Sequence, residues 1–112
     1  MLWCVGWAVL CVAVELAVPG RDRDAHGVKN RCVSILHGQV GLWLALHALC
    51  ADGLSFCGAD SPRARRAVAV SLGYFLYDLC ACLALGLWDA NLVAHHTLAA
   101  VGFGWARATG RG

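Results

Sequence analysis

Residues 67–88 form an apolar run of 22 residues that carries a single charge, Asp78. About 20 mostly apolar residues suffice to cross about 30 Å of hydrocarbon, so this run is long enough to span a bilayer with some tilt. Inside hydrocarbon every backbone N–H and C=O must be satisfied within the protein, which leaves only helices or a closed barrel. A barrel needs more strands than 112 residues supply, so helices are expected. Three further runs fit the same pattern. Residues 2–18 carry only Glu15 and are stopped by Pro19 and Gly20. Residues 32–51 are interrupted by Ser34, His37, Gln39 and His47 and end at Asp52 and Gly53. Residues 91–106 contain His95, His96 and Thr97. Polar connections are expected at 21–31 and 52–66, and Asp89 makes so short a turn that the last two helices must run antiparallel. The expected fold class is therefore all-α, a multi-pass transmembrane helical bundle of about four helices. Residues 1–29 supply the first helix and a polar loop, and residues 30–112 supply three more helices.

Composition agrees with a lipid environment. The chain is 60% apolar and 14% charged, and a small water-soluble domain of that composition would expose wide apolar patches. The basic residues sit between the apolar runs and form no stripe interleaved with aromatics, so no nucleic-acid partner is expected. Six of the seven cysteines, Cys4, Cys11, Cys32, Cys50, Cys80 and Cys82, lie in apolar runs and read as small packing residues, while Cys57 sits in a polar loop. Cys80 and Cys82 form a C-x-C pair, which differs from the C-x-x-C spacing of zinc and redox sites. The chain has no Asn-x-Ser/Thr acceptor for glycosylation.

The first run has a rival reading as a signal peptide, with residues 17–20 as a cleavage region, but no positive charge precedes it, and a retained helix is the expectation. Trp88, Trp105, Trp3 and Trp7 stand near helix ends, where aromatic belts form. With four spans, Arg63, Arg65, Arg66, Arg107 and Arg111 face one side and Arg21, Arg23, Lys29 and Arg31 the other. Five against four does not orient the chain under the positive-inside rule.

Ionisable residues at membrane depth cost about 2.5 to 3.5 kcal/mol each on insertion scales, so they tend to face a bundle interior and to have a use. The candidates are Glu15, His37, His47, Asp78, His95 and His96. At about 100° per residue, Ser71, Tyr74, Asp78 and Cys82 share one face of the third helix with Tyr77 beside it. On the second helix Ser34, His37 and Gly41 cluster in the same way. Interhelical hydrogen bonding alone would account for these residues; a histidine beside a carboxylate can also move protons or act as a nucleophile. His95 and His96 point about 100° apart, which suits two separate roles better than one metal site, for which a spacing of four residues is usual. No metal and no cofactor is expected.

Three motifs, NRCVSILH at 30–37, SLGYFLYD at 71–78 and AHHT at 94–97, resemble the TLC-domain family of membrane proteins, which includes the ceramide synthases. The resemblance runs in order and spacing from Asn30 onward and is closest to small TLC-domain-containing proteins of unassigned or regulatory function. It implies an integral membrane protein of the endoplasmic reticulum or plasma membrane, with membrane lipid, and other membrane helices, as partners. In ceramide synthases the matching histidines are implicated in acyl transfer from acyl-CoA, together with an aspartate pair on a later helix. This chain stops at Gly110, Arg111 and Gly112, before any such helix, so the resemblance implies a partial, apparently truncated TLC domain over residues 30–112. The expected function is noncatalytic lipid binding, sensing or membrane lipid homeostasis, with His37, Ser71, Tyr74 and Tyr77 as lipid-pocket or interhelical polar residues. The alternatives are an acyl-CoA-dependent N-acyltransferase using His95, His96 and Asp78, and a nonfunctional truncated isoform.

Overall fold

The computed structural model describes residues 2–52, 61–87 and 89–110. Gly53, Cys57, Trp88 and Arg111, to which the sequence assigned a helix stop, a loop thiol, a belt position and a place in the charge count, lie outside the described residues. The described residues form four α-helices and no strand: α1 Leu2–Ala17, α2 Arg23–Asp52, α3 Pro62–Ala84 and α4 Ala90–Thr109.

Local chemistry sets the boundaries, and it moves two of them from where hydropathy put them. The segment expected as a polar loop over 21–31 is mostly helix, since α2 begins at Arg23. The Asp22 carboxylate accepts the Ala25 N–H at 2.7 Å and so caps that first turn, and Gly20 at φ +102° turns the chain back toward it. The expected 52–66 connection is shortened in the same way. Ser61 caps α3 by accepting the Ala64 N–H at 3.0 Å, and Pro62 occupies the first helical turn, where it loses no hydrogen bond. Arg63, Arg65 and Arg66 are thus helical. At its far end α3 closes at Leu85, with Gly86 at φ +68°, so within the 67–88 run the helix ends at Ala84. Asp89 caps α4 by accepting the Leu92 N–H at 2.9 Å, and Gly110 closes α4 in the left-handed conformation. Hydropathy places the apolar stretch of a helix; the caps place its ends.

Helix α3 is the centre of the bundle. It packs against α1, α2 and α4, α1 also touches α2, and among the described residues α4 touches neither α1 nor α2. The core joins Trp7 and Cys11 of α1, Val33 of α2, and Val70, Tyr74 and Tyr77 of α3. Trp7 is buried, and its indole N–H donates to the Val70 carbonyl at 3.3 Å. Its expected place in an interfacial belt is therefore corrected: Trp7 is a core residue, while Trp3 and Trp105 are exposed. Gly73 allows α1 to approach closely, because an added Cβ there would lie 2.8 Å from the Trp3 Cβ and 2.9 Å from the Cys4 backbone nitrogen.

Two helices, α2 and α3, are long and apolar enough to cross a membrane. Helix α1 is apolar but, at 16 residues, only about 24 Å long. Helix α4 has the length but less apolarity, since Asn91, His95, His96 and Arg107 fall within it. Much of the apolar surface faces outward. Ile35, Leu42 and Trp43 on α2, Val9 and Leu16 on α1, and Leu98, Val101 and Trp105 on α4 are all more than half exposed.

Candidate functional site

Because α2 and α4 flank α3 without meeting, a cleft opens between them with α3 as its floor. Its volume is about 490 Å³. Asn30, Ser34 and His37 line it from α2, Tyr74, Phe75, Asp78 and Cys82 from α3, and His95 and His96 from α4, with Arg31 and Asp89 among the other lining residues.

At its base Asp78 and His96 form a buried pair, 2% and 7% exposed, with Nε2 of His96 at 2.5 Å from Oδ2 of Asp78. The other ring nitrogen, Nδ1, lies 2.9 Å from the Leu92 carbonyl oxygen one turn back. A carbonyl only accepts, so Nδ1 carries a proton and donates it. Both nitrogens of His96 are thereby engaged. His95, the next residue, is exposed at the cleft and among the described residues has ring contacts alone, to Phe75 at 5.7 Å and to His96 at 5.3 Å.

Across the cleft the His37 ring stacks on Tyr74, with ring centres 3.8 Å apart, and the Tyr74 hydroxyl donates to Ser34 Oγ at 2.8 Å. Ser34 in turn donates to the Asn30 carbonyl at 3.0 Å. Asn30 Nδ2 donates to the Cys82 sulfur at 3.4 Å. Phe75 is the apolar hub, in ring contact with His37, Tyr74, His95, His96 and Phe103. Three buried polar atoms on the lining, Asn30 Oδ1, His37 Nε2 and Asp78 Oδ1, have no hydrogen-bond partner among the described residues. The first is acceptor-only, a carboxylate oxygen accepts, and the histidine nitrogen accepts or donates according to its tautomer.

Of the residues singled out from the sequence, the structure gathers His37, Tyr74, Asp78, His95 and His96 on one cleft. Ser71 and Tyr77 are buried but do not line it. Ser71 faces the α2 backbone near Gly41, and Tyr77 belongs to the core cluster with Trp7 and Cys11. His47 lies far along α2, stacked on Trp43 at 5.6 Å. No group of three His, Cys, Asp or Glu side chains among the described residues is placed to hold a metal ion.

Sequence reasoning missed the contributions of Asn30, Arg31, Phe75 and Asp89. It also missed a polar cluster outside the cleft. Lys29, 2% exposed, donates to Glu15 Oε2 at 2.8 Å and to the Gly20 carbonyl at 2.7 Å, and His26 Nδ1 lies 2.9 Å from Glu15 Oε1. With 21–31 read as loop, nothing put His26 and Lys29 on one face. Read as helix, their spacing of three residues does so. No protein-family model, no curated protein and no solved structure matches this chain.

Proposed function

We propose that this chain is a multi-pass integral membrane protein of TLC type that holds the polar end of a lipid in the cleft between α2 and α4, without catalysing a reaction on it. The observation that carries this reading is the cleft itself: a buried Asp78–His96 pair and three unpartnered polar atoms open between helices whose outer faces are apolar. In water the partly exposed Ile35, Leu42 and Trp43 of α2 would each forgo about 1 to 2 kcal/mol of burial, which lipid tails restore. A buried polar atom without a partner costs about 1 to 3 kcal/mol, and a lipid headgroup bearing hydroxyl or amide N–H donors would satisfy the acceptors at Asn30 and Asp78. Phe75 and Leu92 supply an apolar wall for the start of the acyl chains.

The test is lipid retention. Lipids extracted from the full chain purified in mild detergent, identified by mass spectrometry, are expected to be enriched in a donor-bearing class and depleted when His37→Leu and Asn30→Leu are combined. A lipid profile identical to that of the surrounding membrane, unchanged by the double variant, refutes the reading.

One observation favours an acyltransferase as the second reading: His95 faces the cleft with no hydrogen bond on its ring among the described residues. In that chemistry His95, not the doubly engaged His96, takes the proton from an amine as its nitrogen attacks the thioester carbon of acyl-CoA and the CoA thiolate departs. Acyl transfer by the purified chain that disappears in His95→Ala would replace the noncatalytic reading with this one.

A further inference from the structure

At the end of the bundle away from the cleft, the last turns of α2 meet the first turns of α3 around a cavity of about 430 Å³ lined by Trp43, Leu44, His47, Pro62, Arg63 and Arg66. Arg66 lies 12 positions before Asp78 on α3, about 18 Å along the axis, so this corner is separate from the Asp78–His96 site. We propose that it binds the phosphodiester headgroup of an anionic membrane lipid, an inference that rests on the membrane reading above.

Charge is the first argument. Arg63 donates to Asp52 Oδ1 at 2.8 Å and cancels its charge. Arg66 is exposed and has no ion-pair or hydrogen-bond partner among the described residues. Among the described lining residues and Asp52 one fixed positive charge is then left over, and a phosphodiester brings one negative charge. A phosphatidylcholine headgroup carries its own cation and gains nothing from the surplus. Geometry is the second argument. Arginine presents a planar fork of N–H donors that matches phosphate oxygens, and the half-exposed Arg63 retains donors beyond the one given to Asp52. The third argument is what adjoins the corner. The Trp43 indole, stacked with His47, is the type of ring that settles at headgroup level, and from it toward the middle of α2 the exposed Leu42, Leu36 and Ile35 continue as apolar surface, where acyl chains would lie.

The experiment is native mass spectrometry of the full chain in detergent, supplied with phosphatidylglycerol or phosphatidylcholine at matched concentration. Phosphatidylglycerol adducts should exceed phosphatidylcholine adducts about tenfold, the effect of one charge-assisted contact. Arg66→Gln, at an exposed position without a partner, should bring the two lipids level, Arg66→Lys should keep part of the preference, and Arg23→Gln on the opposite end should leave it intact. Equal loss in Arg23→Gln would show attraction by net charge alone and overturn the site. Displacement of phosphatidylglycerol by inorganic phosphate would assign the corner to a soluble anion and likewise overturn it. Extraction of the chain from membranes by alkaline carbonate would defeat the membrane reading itself, whereas indifference to phosphatidylglycerol in a chain that resists extraction defeats only this site.

Discussion

Gly73→Ala asks whether α1 belongs to the bundle. The new methyl would stand 2.8 Å from the Trp3 Cβ, 2.9 Å from the Cys4 nitrogen and 3.0 Å from the Trp3 carbonyl carbon, where ordinary contacts begin at 3.4 Å. Two of these three atoms are backbone, so no side-chain rotation relieves the clash, and α1 must retreat by about 0.6 Å. Overpacking of this kind costs about 1 to 3 kcal/mol, and the upper end applies when backbone has to move. Alanine recovers about 1 kcal/mol over glycine in a helix, leaving a net loss of about 2 kcal/mol, or about 30-fold in the population with α1 detached. Cys11, buried in the α1–α3 contact, reports that population. Its alkylation by a small maleimide, followed by peptide mass spectrometry, should accelerate about 30-fold provided that α1 opens and closes faster than it is labelled. Gly6→Ala is the control, because a Cβ at Gly6 meets nothing within 4 Å and only the helix preference remains; Cys11 labelling should slow or stay level. Labelling of Cys11 at the wild-type rate in Gly73→Ala would refute the docking of α1 on α3, as would a purified chain that begins after residue 17.

Asp78→Leu and His96→Leu should each cost about 1 to 3 kcal/mol in SDS-induced unfolding, since either leaves the other member buried without its partner, and the double variant should cost less than their sum. A coupling no larger than about 0.6 kcal/mol, the average of membrane hydrogen bonds, would reduce the pair to ordinary packing. Lys29→Met should loosen the α1–α2 junction by about 1 to 3 kcal/mol, less than a fully buried pair would lose because Glu15 remains a quarter exposed and keeps His26. Glu15→Gln combined with Lys29→Met should recover part of that loss, and additive losses read by Cys11 labelling would show that the two do not act as a pair.

The helical class was legible because hydrophobic runs are long and their interruptions few, and the face of α3 was legible because Tyr74, Asp78 and Cys82 recur at the helical period. Helix ends were less so. Arg23, Lys29 and Arg63 read as loop on hydropathy, yet each lies in a helix whose start is set by a neighbouring Asp22 or Ser61 side chain. Apolarity measures preference for lipid, whereas a cap satisfies backbone N–H groups whatever the hydropathy of the turn behind it. The cleft was half legible. His37, Tyr74, Asp78 and the histidine pair stand out because polar groups in apolar runs are costly. Phe75 passes unnoticed in an apolar run, and Asn30 and Asp89 are ordinary in polar segments, so only the way α2 and α4 straddle α3 shows that they line the same cleft.

That geometry also separates two histidines that the sequence presents as equals. Nδ1 of His96 is protonated because it faces a carbonyl, so the contact between Nε2 and Asp78 holds one further proton whichever atom carries it. If Nε2 carries it, an imidazolium faces a carboxylate; if Oδ2 carries it, a neutral ring faces a neutral acid. The net charge is zero in both cases, so the pair avoids the cost of a lone buried ion without drawing a counter-ion from solvent. The same accounting restricts what His96 can do, for it has no free nitrogen with which to meet a ligand unless it gives up Leu92 or Asp78. His95 has made neither commitment and stands exposed on the cleft wall. Within the HHT motif, then, the second histidine ties α4 to α3, and the first keeps its ring open on the cleft.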